Sequence, residues 1–212
     1  MNIALIGASG FVGSALLAEA LSRGHTVTAL VQNPARVAAQ PQLSVVAVDV
    51  NDTAALARQL AGRDAAISAF SGHAQTDTLG YYVKGMRSVV AAAKQAALPR
   101  LLVVGGAASL EVAPGRILLD TPEFPAAYKA TAQGARDALL MLREETALNW
   151  TMLSPSAVLA PGPRTGRFRL GGDQLLVDAD GKSHISVADY AVAMLDELEK
   201  PAHPRQRFTV GY

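Results

Sequence analysis

"IGASGFVG", Ile6 to Gly13, follows at once on a short apolar run that begins at Ile3. Gly7, Gly10 and Gly13 recur at intervals of three within it. Ile3 to Ile6 reads as a strand, and Phe11 to Arg23 as a helix closed by Gly24 in the C′ position. A bare glycine pattern often marks only a turn, but set between the first strand and first helix of a βαβ unit it predicts a phosphate-binding loop. Gly7 allows the tight turn, Gly10 lets the backbone approach a pyrophosphate, and Gly13 lets helix and sheet pack closely. The helix N-terminus adds free N–H groups and the positive end of its dipole. The expected phosphate contacts are Gly7, Ser9, Gly10, Phe11, Val12 and Gly13.

Outward from the loop, β-like runs alternate with helical patterns, as in a parallel sheet covered by helices on both faces. Further strands are expected at Thr26–Val31, Leu43–Val48, Ala65–Phe70, Leu101–Val104 and Trp150–Leu153. Leu79, Val83, Met86, Val90, Ala93 and Ala97 recur in steps of four and three, placing them on one helical face ended by Pro99. Another helix is expected over about Ala126 to Thr146. After Pro155 come a loop rich in Pro and Gly, a small hairpin from Phe168 to Gly181, a helix opened by "SVAD" and a strand at "RFTV". The fold class expected is α/β, a Rossmann-like doubly wound parallel sheet. It forms one domain over residues 1–212, with a core to about residue 155 and a small C-terminal segment, 156–212, over the active face.

Composition narrows the function. The chain has 212 residues, 50% hydrophobic and 17% charged, with 19 basic and 18 acidic side chains. That balance offers no basic stripe for nucleic acid. With no cysteine there is no disulfide, thiolate nucleophile or cysteine-based zinc site. His25, His73, His184 and His203 are scattered without metal-binding spacing, so no metal is expected. "DADG" (Asp178 to Gly181) reads as a turn rather than a calcium loop, and there is no GxSxG elbow. No apolar stretch approaches the ~18–20 residues that span a bilayer, and the N-terminus has no signal-peptide pattern. A cytoplasmic location follows by default, with a small molecule as partner and the oligomeric state open.

The spacing GxxGxxG resembles that of the short-chain dehydrogenase/reductase superfamily, in its extended and atypical branches. "VDV" (Val48 to Val50), "SAFSG" (Ser68 to Gly72), "LNWTMLSPSAVLAPG" (Leu148 to Gly162) and "ISVADYA" (Ile185 to Ala191) resemble further superfamily segments. "LLVVGGAASL", "WTMLSPSAVLAPGPRTG", "GGDQLLVDADGKSHIS" and "RQRF" resemble one subgroup over essentially the full length. That subgroup is named for NADH-flavin reduction and is related to biliverdin-IXβ/flavin reductases and NmrA-like redox sensors. The resemblance implies adenine contacts at Asp49 and Val50, cofactor contacts at Ala69, Phe70 and Ser71, and Pro155 near the nicotinamide.

The second strand ends in "LVQNPARV" without the acid that would bond the ribose 2′-hydroxyl of NAD. Gln32 can donate hydrogen bonds there and Arg36 can offer a cation to a 2′-phosphate, so NADP is favoured over NAD. Superfamily carbonyl reductases pair a Tyr with a Lys four residues on, which a helix stacks on one face. Here Tyr128 is followed directly by Lys129, about 100° around the helix, and position 132 is Ala. The candidate catalytic residues are Tyr128 and Ser109, the latter after the fifth strand. With that dyad broken, a flat conjugated acceptor such as a flavin or quinone is the expected substrate. Phe70, Tyr81, Tyr82, Pro155 and Phe168 are candidates to line its slot. The alternatives are a non-catalytic NAD(P)H-binding redox sensor of NmrA type and a nucleotide-sugar epimerase or dehydratase.

Overall fold

In the computed structural model, which describes residues 1–73 and 75–212, the first strand, β1 (Asn2–Ile6), is covered on both faces. Ala4 and Ile6 enter one hydrophobic cluster, Ile3 and Leu5 the other. Alternate side chains of a strand point to opposite faces, so the apolar run Ile3 to Ile6 requires helices on both sides. The chain continues through α1 (Phe11–Ser22), β2 (Thr26–Val31), β3 (Leu43–Ala47), α2 (Thr53–Leu60) and β4 (Ala65–Ser68). It then forms α3 (Thr78–Gln95), β5 (Leu101–Val104), a short hairpin of β6 (Glu111–Ala113) and β7 (Arg116–Ile117), and α4 (Lys129–Glu144). The last elements are β8 (Trp150–Ser154), β9 (Val158–Ala160), β10 (Arg169–Gly171), β11 (His184–Ser186), α5 (Val187–Glu199) and β12 (Gln206–Gly211).

Eight strands form one sheet in the order β10-β12-β8-β5-β4-β1-β2-β3, parallel except for β10. This is the Rossmann-like α/β fold. The winding direction reverses between β1, which leads to β2 and β3, and its other neighbour β4, which leads to β5 and β8. That switch point opens a crevice at the carboxyl ends of the strands. One face is packed by Leu56, Leu60, Met86, Leu139 and Trp150. The other is packed by Leu16, Tyr190, Leu195 and Phe208. Among the described residues no helix is long and apolar enough to cross a membrane.

Two elements here depart from the sequence expectation, while "DADG" is the turn expected. Phe168 to Gly181 does not form a hairpin: β10 pairs antiparallel with β12, and Glu111 bridges to Gln174. Unpaired, β12 would be a bare sheet edge, so its backbone groups take β10 as a cover. "DADG" is a tight turn in which the Asp178 carboxylate accepts from the amides of Asp180 at 2.9 Å and Lys182 at 2.8 Å. The helix expected from Ala126 opens with a single 3-10 turn, Ala126–Tyr128, before α4.

Ala97 is exposed and lies beyond α3 rather than on its buried face. Its φ of 47° is left-handed, and the amide of Leu98 reaches back to the Ala93 carbonyl at 2.9 Å, the pattern that usually closes on glycine. Ala97→Gly relieves that strain, partly offset by a looser unfolded chain. The variant is expected to gain about 0.5 kcal/mol, roughly 2 °C in thermal midpoint. A drop in midpoint would show that the methyl group is held by packing instead.

Candidate functional site

The glycine loop fills the crevice between the ends of β1 and β4. Gly7 has φ 80°, and a Cβ there would lie 2.8 Å from the Ala69 carbonyl oxygen. The loop therefore lies directly against the turn after β4. A Cβ on Gly13 would lie 2.1 Å from the Gly7 carbonyl oxygen, so α1 is seated on the loop itself. Gly10 differs. It is the N-cap of α1, with φ −81° and ψ 174° and no side chain to cap the helix. An added Cβ there meets only the Gly7 carbonyl oxygen, at 3.4 Å. The first amides of α1, on Phe11, Val12 and Gly13, thus face an open approach at the positive end of the helix dipole.

A cleft of about 290 Å³ runs from this loop to the end of β2. Of the residues proposed from sequence, Gly7, Ser9, Gly10, Gln32, Arg36, Val50, Ala69, Phe70 and Ser71 line it. Phe11 is half-exposed beside it, and Gly13 lies buried under the loop. Val12 packs partly into the α1 side of the core. Asp49 sits at the surface, where one carboxylate oxygen accepts from the Asn51 amide at 2.9 Å. Pro155 is buried just after β8. The cleft also includes Asn33, Val48 and Gln75, which sequence reasoning passed over. Val48 sits in the quoted "VDV" and Asn33 in the quoted "VQNPARV", so both were adjacent to a signal.

The aromatic side chains sort differently from the slot expected. Tyr81 lines the cleft beside Gln32, whose Nε2 lies 3.5 Å from the phenol oxygen, so it belongs to the β2 end. Burial, together with the negative charge of Asp49, holds this phenol above its usual pKa, and it acts as a neutral hydrogen-bonding group. Tyr82 is a core residue, 3% exposed, stacked on Phe70 and packed where a Cβ on Gly134 would be. Its phenol is pushed up to about 12 by burial. Phe168 packs against the α1 and α5 cluster.

Ser109 closes the 3-10 turn Ala107–Ser109 after β5. Its Oγ lies 3.4 Å from Nη1 of Arg207, a buried guanidinium that also donates from Nε to Asp173 at 2.6 Å. Burial depresses the Arg207 pKa and Asp173 opposes that shift. Tyr128 is the N-cap of α4 and is 60% exposed. Lys129 opens the helix, and Ala132, one turn on, is 8% exposed and in the core.

An open glycine loop, a helix N-terminus without a side-chain cap and a cleft at the switch point define a dinucleotide-binding Rossmann-like protein. The chain belongs to the NAD(P)H-binding family, whose model matches residues 7–198. It is 43% identical to the "uncharacterized protein YwnB" of Bacillus subtilis, over 99% of this chain and 98% of that one. The "putative epimerase" of Bacteroides thetaiotaomicron superposes with a TM-score of 0.94 at 44% identity, covering 100% of this chain and 96% of that one. The "putative NADH-flavin reductase" of Streptococcus pneumoniae TIGR4 gives 0.88 at 36% identity, covering 100% and 99%.

Proposed function

We propose that the protein passes hydride from a bound nicotinamide dinucleotide to a flavin or another flat, conjugated acceptor such as a quinone. The observation that carries this reading is Ala132. It stands four residues after Tyr128, where the carbonyl reductases of this fold keep a lysine, and it is a methyl side chain 8% exposed. An exposed phenol without that partner is a poor proton donor to a developing alkoxide. A conjugated ring demands less, because its electron sink accepts hydride and solvent can complete the protonation. The similarity to the streptococcal protein supports the same choice.

When bound, the nicotinamide supplies the hydride. The chain's share is positioning. The amides at the α1 N-terminus would hold the pyrophosphate, Val48, Val50 and Tyr81 would wall the adenine, and Phe70 and Ser71 would lead toward the reacting ring. Purified protein is expected to oxidise NADPH or NADH when FMN, FAD, riboflavin or menadione is added, followed by nicotinamide absorbance. Tight cofactor binding with no oxidation by any of these acceptors would sink the proposal and leave a dinucleotide sensor.

Arg36 and Gln32 face the same cleft and no acid stands at the end of β2. This arrangement favours NADP, with Arg36 on the 2′-phosphate. Arg36→Ala is expected to weaken NADPH binding about tenfold, the worth of one charge-assisted bond, and NADH binding less than about twofold. Equal losses for the two cofactors, measured by fluorescence titration, would remove Arg36 from that role.

A further inference from the structure

The proposed reductase has no dyad lysine, but the structure joins another proton-bearing group, His73, to the turn of α4 that follows Tyr128. The turn after β4 lines the cleft with Ala69, Phe70 and Ser71 and continues through the buried Gly72 to His73. The Nδ1 of His73 lies 3.1 Å from Oγ1 of Thr131 on α4. Thr131 is three residues after Tyr128, so the two are neighbours on one helical face, while Ala132, where the dyad lysine would stand, is turned about 100° from Thr131. The imidazole is thus tethered to the Tyr128 and Thr131 face by a loop whose preceding residues line the cleft.

We propose that His73 is a catalytic residue, the proton donor to the oxygen of a quinone-type acceptor; this rests on the reductase reading above. The Thr131 hydroxyl suits both halves of the step. A ring protonated on both nitrogens would donate Nδ1–H to Thr131 and offer the second proton from Nε2. Hydride brings two electrons to the quinone. As the reduced ring gains charge, the Nε2–H bond breaks and an O–H bond forms on the quinone oxygen. The ring is left neutral, with Nδ1–H still donating to Thr131, and solvent restores its proton. The sum is NADPH, one proton and quinone giving NADP⁺ and hydroquinone.

His73→Asn separates donation from tethering, because the asparagine amide can replace Nδ1 toward Thr131 but has no acid to give. With menadione and NADPH, its kcat is expected to fall roughly 10²-fold, the low end for loss of a general acid, with the NADPH dissociation constant unchanged. Added imidazole is expected to restore part of the activity of His73→Ala. A second readout needs no turnover. In the NADP⁺-loaded protein, the C2 proton resonance of His73, assigned by its loss in His73→Asn, is expected to shift when menadione is added. Full activity in His73→Asn, or an unmoved resonance, overturns the proposal; if His73→Asn fails to fold, His73→Gln supplies both the assignment and the activity comparison. If the unmodified protein reduces no acceptor, the reductase reading has failed, and the resonance still reports whether His73 meets the quinone.

Discussion

Gly13→Ala is expected to lower stability by about 3 kcal/mol, or roughly 6–12 °C in thermal midpoint, although it adds a single methyl group. The methyl would need to occupy a point 2.1 Å from the Gly7 carbonyl oxygen and 3.0 Å from the Ala8 Cα. Both are backbone atoms at the sheet switch point, and Gly7 is pinned by its amide to the Leu30 carbonyl at 2.9 Å. The loop cannot retreat without loosening β1 from β2, so α1 moves away from the sheet instead. Gly10→Val gives the opposite result. Its backbone is extended, in a region any residue adopts, and the nearest obstacle to a Cβ is at 3.4 Å. The fold is therefore expected to lose under about 1 kcal/mol, while the branched side chain fills the approach to the α1 amides. Dinucleotide affinity is expected to fall at least about 100-fold, near 3 kcal/mol. Thermal melts and cofactor titrations of the two variants check both halves. A Gly10→Val protein that still binds NADPH tightly would mean that the pyrophosphate does not cross this loop.

The contrast shows which parts of the site were legible. Spacing and context placed the glycine loop, and β-like runs alternating with helical patterns placed the parallel sheet, because both are local consequences of backbone geometry. What the sequence hid depends on the partner brought by folding. Tyr81 and Tyr82 are adjacent on α3, yet one lines the cleft and the other is buried under α4, and a helical pattern alone does not say which neighbour covers which face. The segment from Phe168 has hairpin chemistry, but β12 arrives from 42 residues away in the register Arg169↔Gly211 and takes the pairing. His73 and Thr131 meet across 58 residues, with no motif linking them. Ser109 stands out in sequence as a candidate catalytic residue, but its partner Arg207 lies 98 residues further along.

The second large effect is expected at Asp189, a fully buried carboxylate on the first turn of α5. "SVAD" marked it as part of a helix start, and Ser186 does cap α5 by accepting from the Asp189 amide at 3.0 Å. The Asp189 carboxylate faces elsewhere. It accepts from the Thr165 and Gly166 amides at 2.8 Å each, from Thr165 Oγ1 at 2.5 Å and from the Tyr212 hydroxyl at 2.7 Å. One side chain thus ties the loop after β9 and the C-terminal residue to α5. Burial alone would raise its pKa, but the bonds from Thr165, Tyr212 and Gly166 outweigh burial and leave it below the usual aspartate value. Asp189→Ala removes four hydrogen bonds to a buried, charged acceptor and is expected to cost about 3 kcal/mol, roughly 6–12 °C. Asp189→Asn keeps the shape but turns an N–H group toward donors, so it should recover only part of that loss. Because the folded pKa is depressed, the stability added by Asp189 is complete above the unfolded aspartate value of about 3.9 and drains away as pH falls through the folded value. The difference in thermal midpoint between the unmodified protein and Asp189→Asn should therefore be constant near neutrality and shrink below about pH 4. A difference that stays level into acid would show that the loop is held by packing, with the carboxylate charge contributing little.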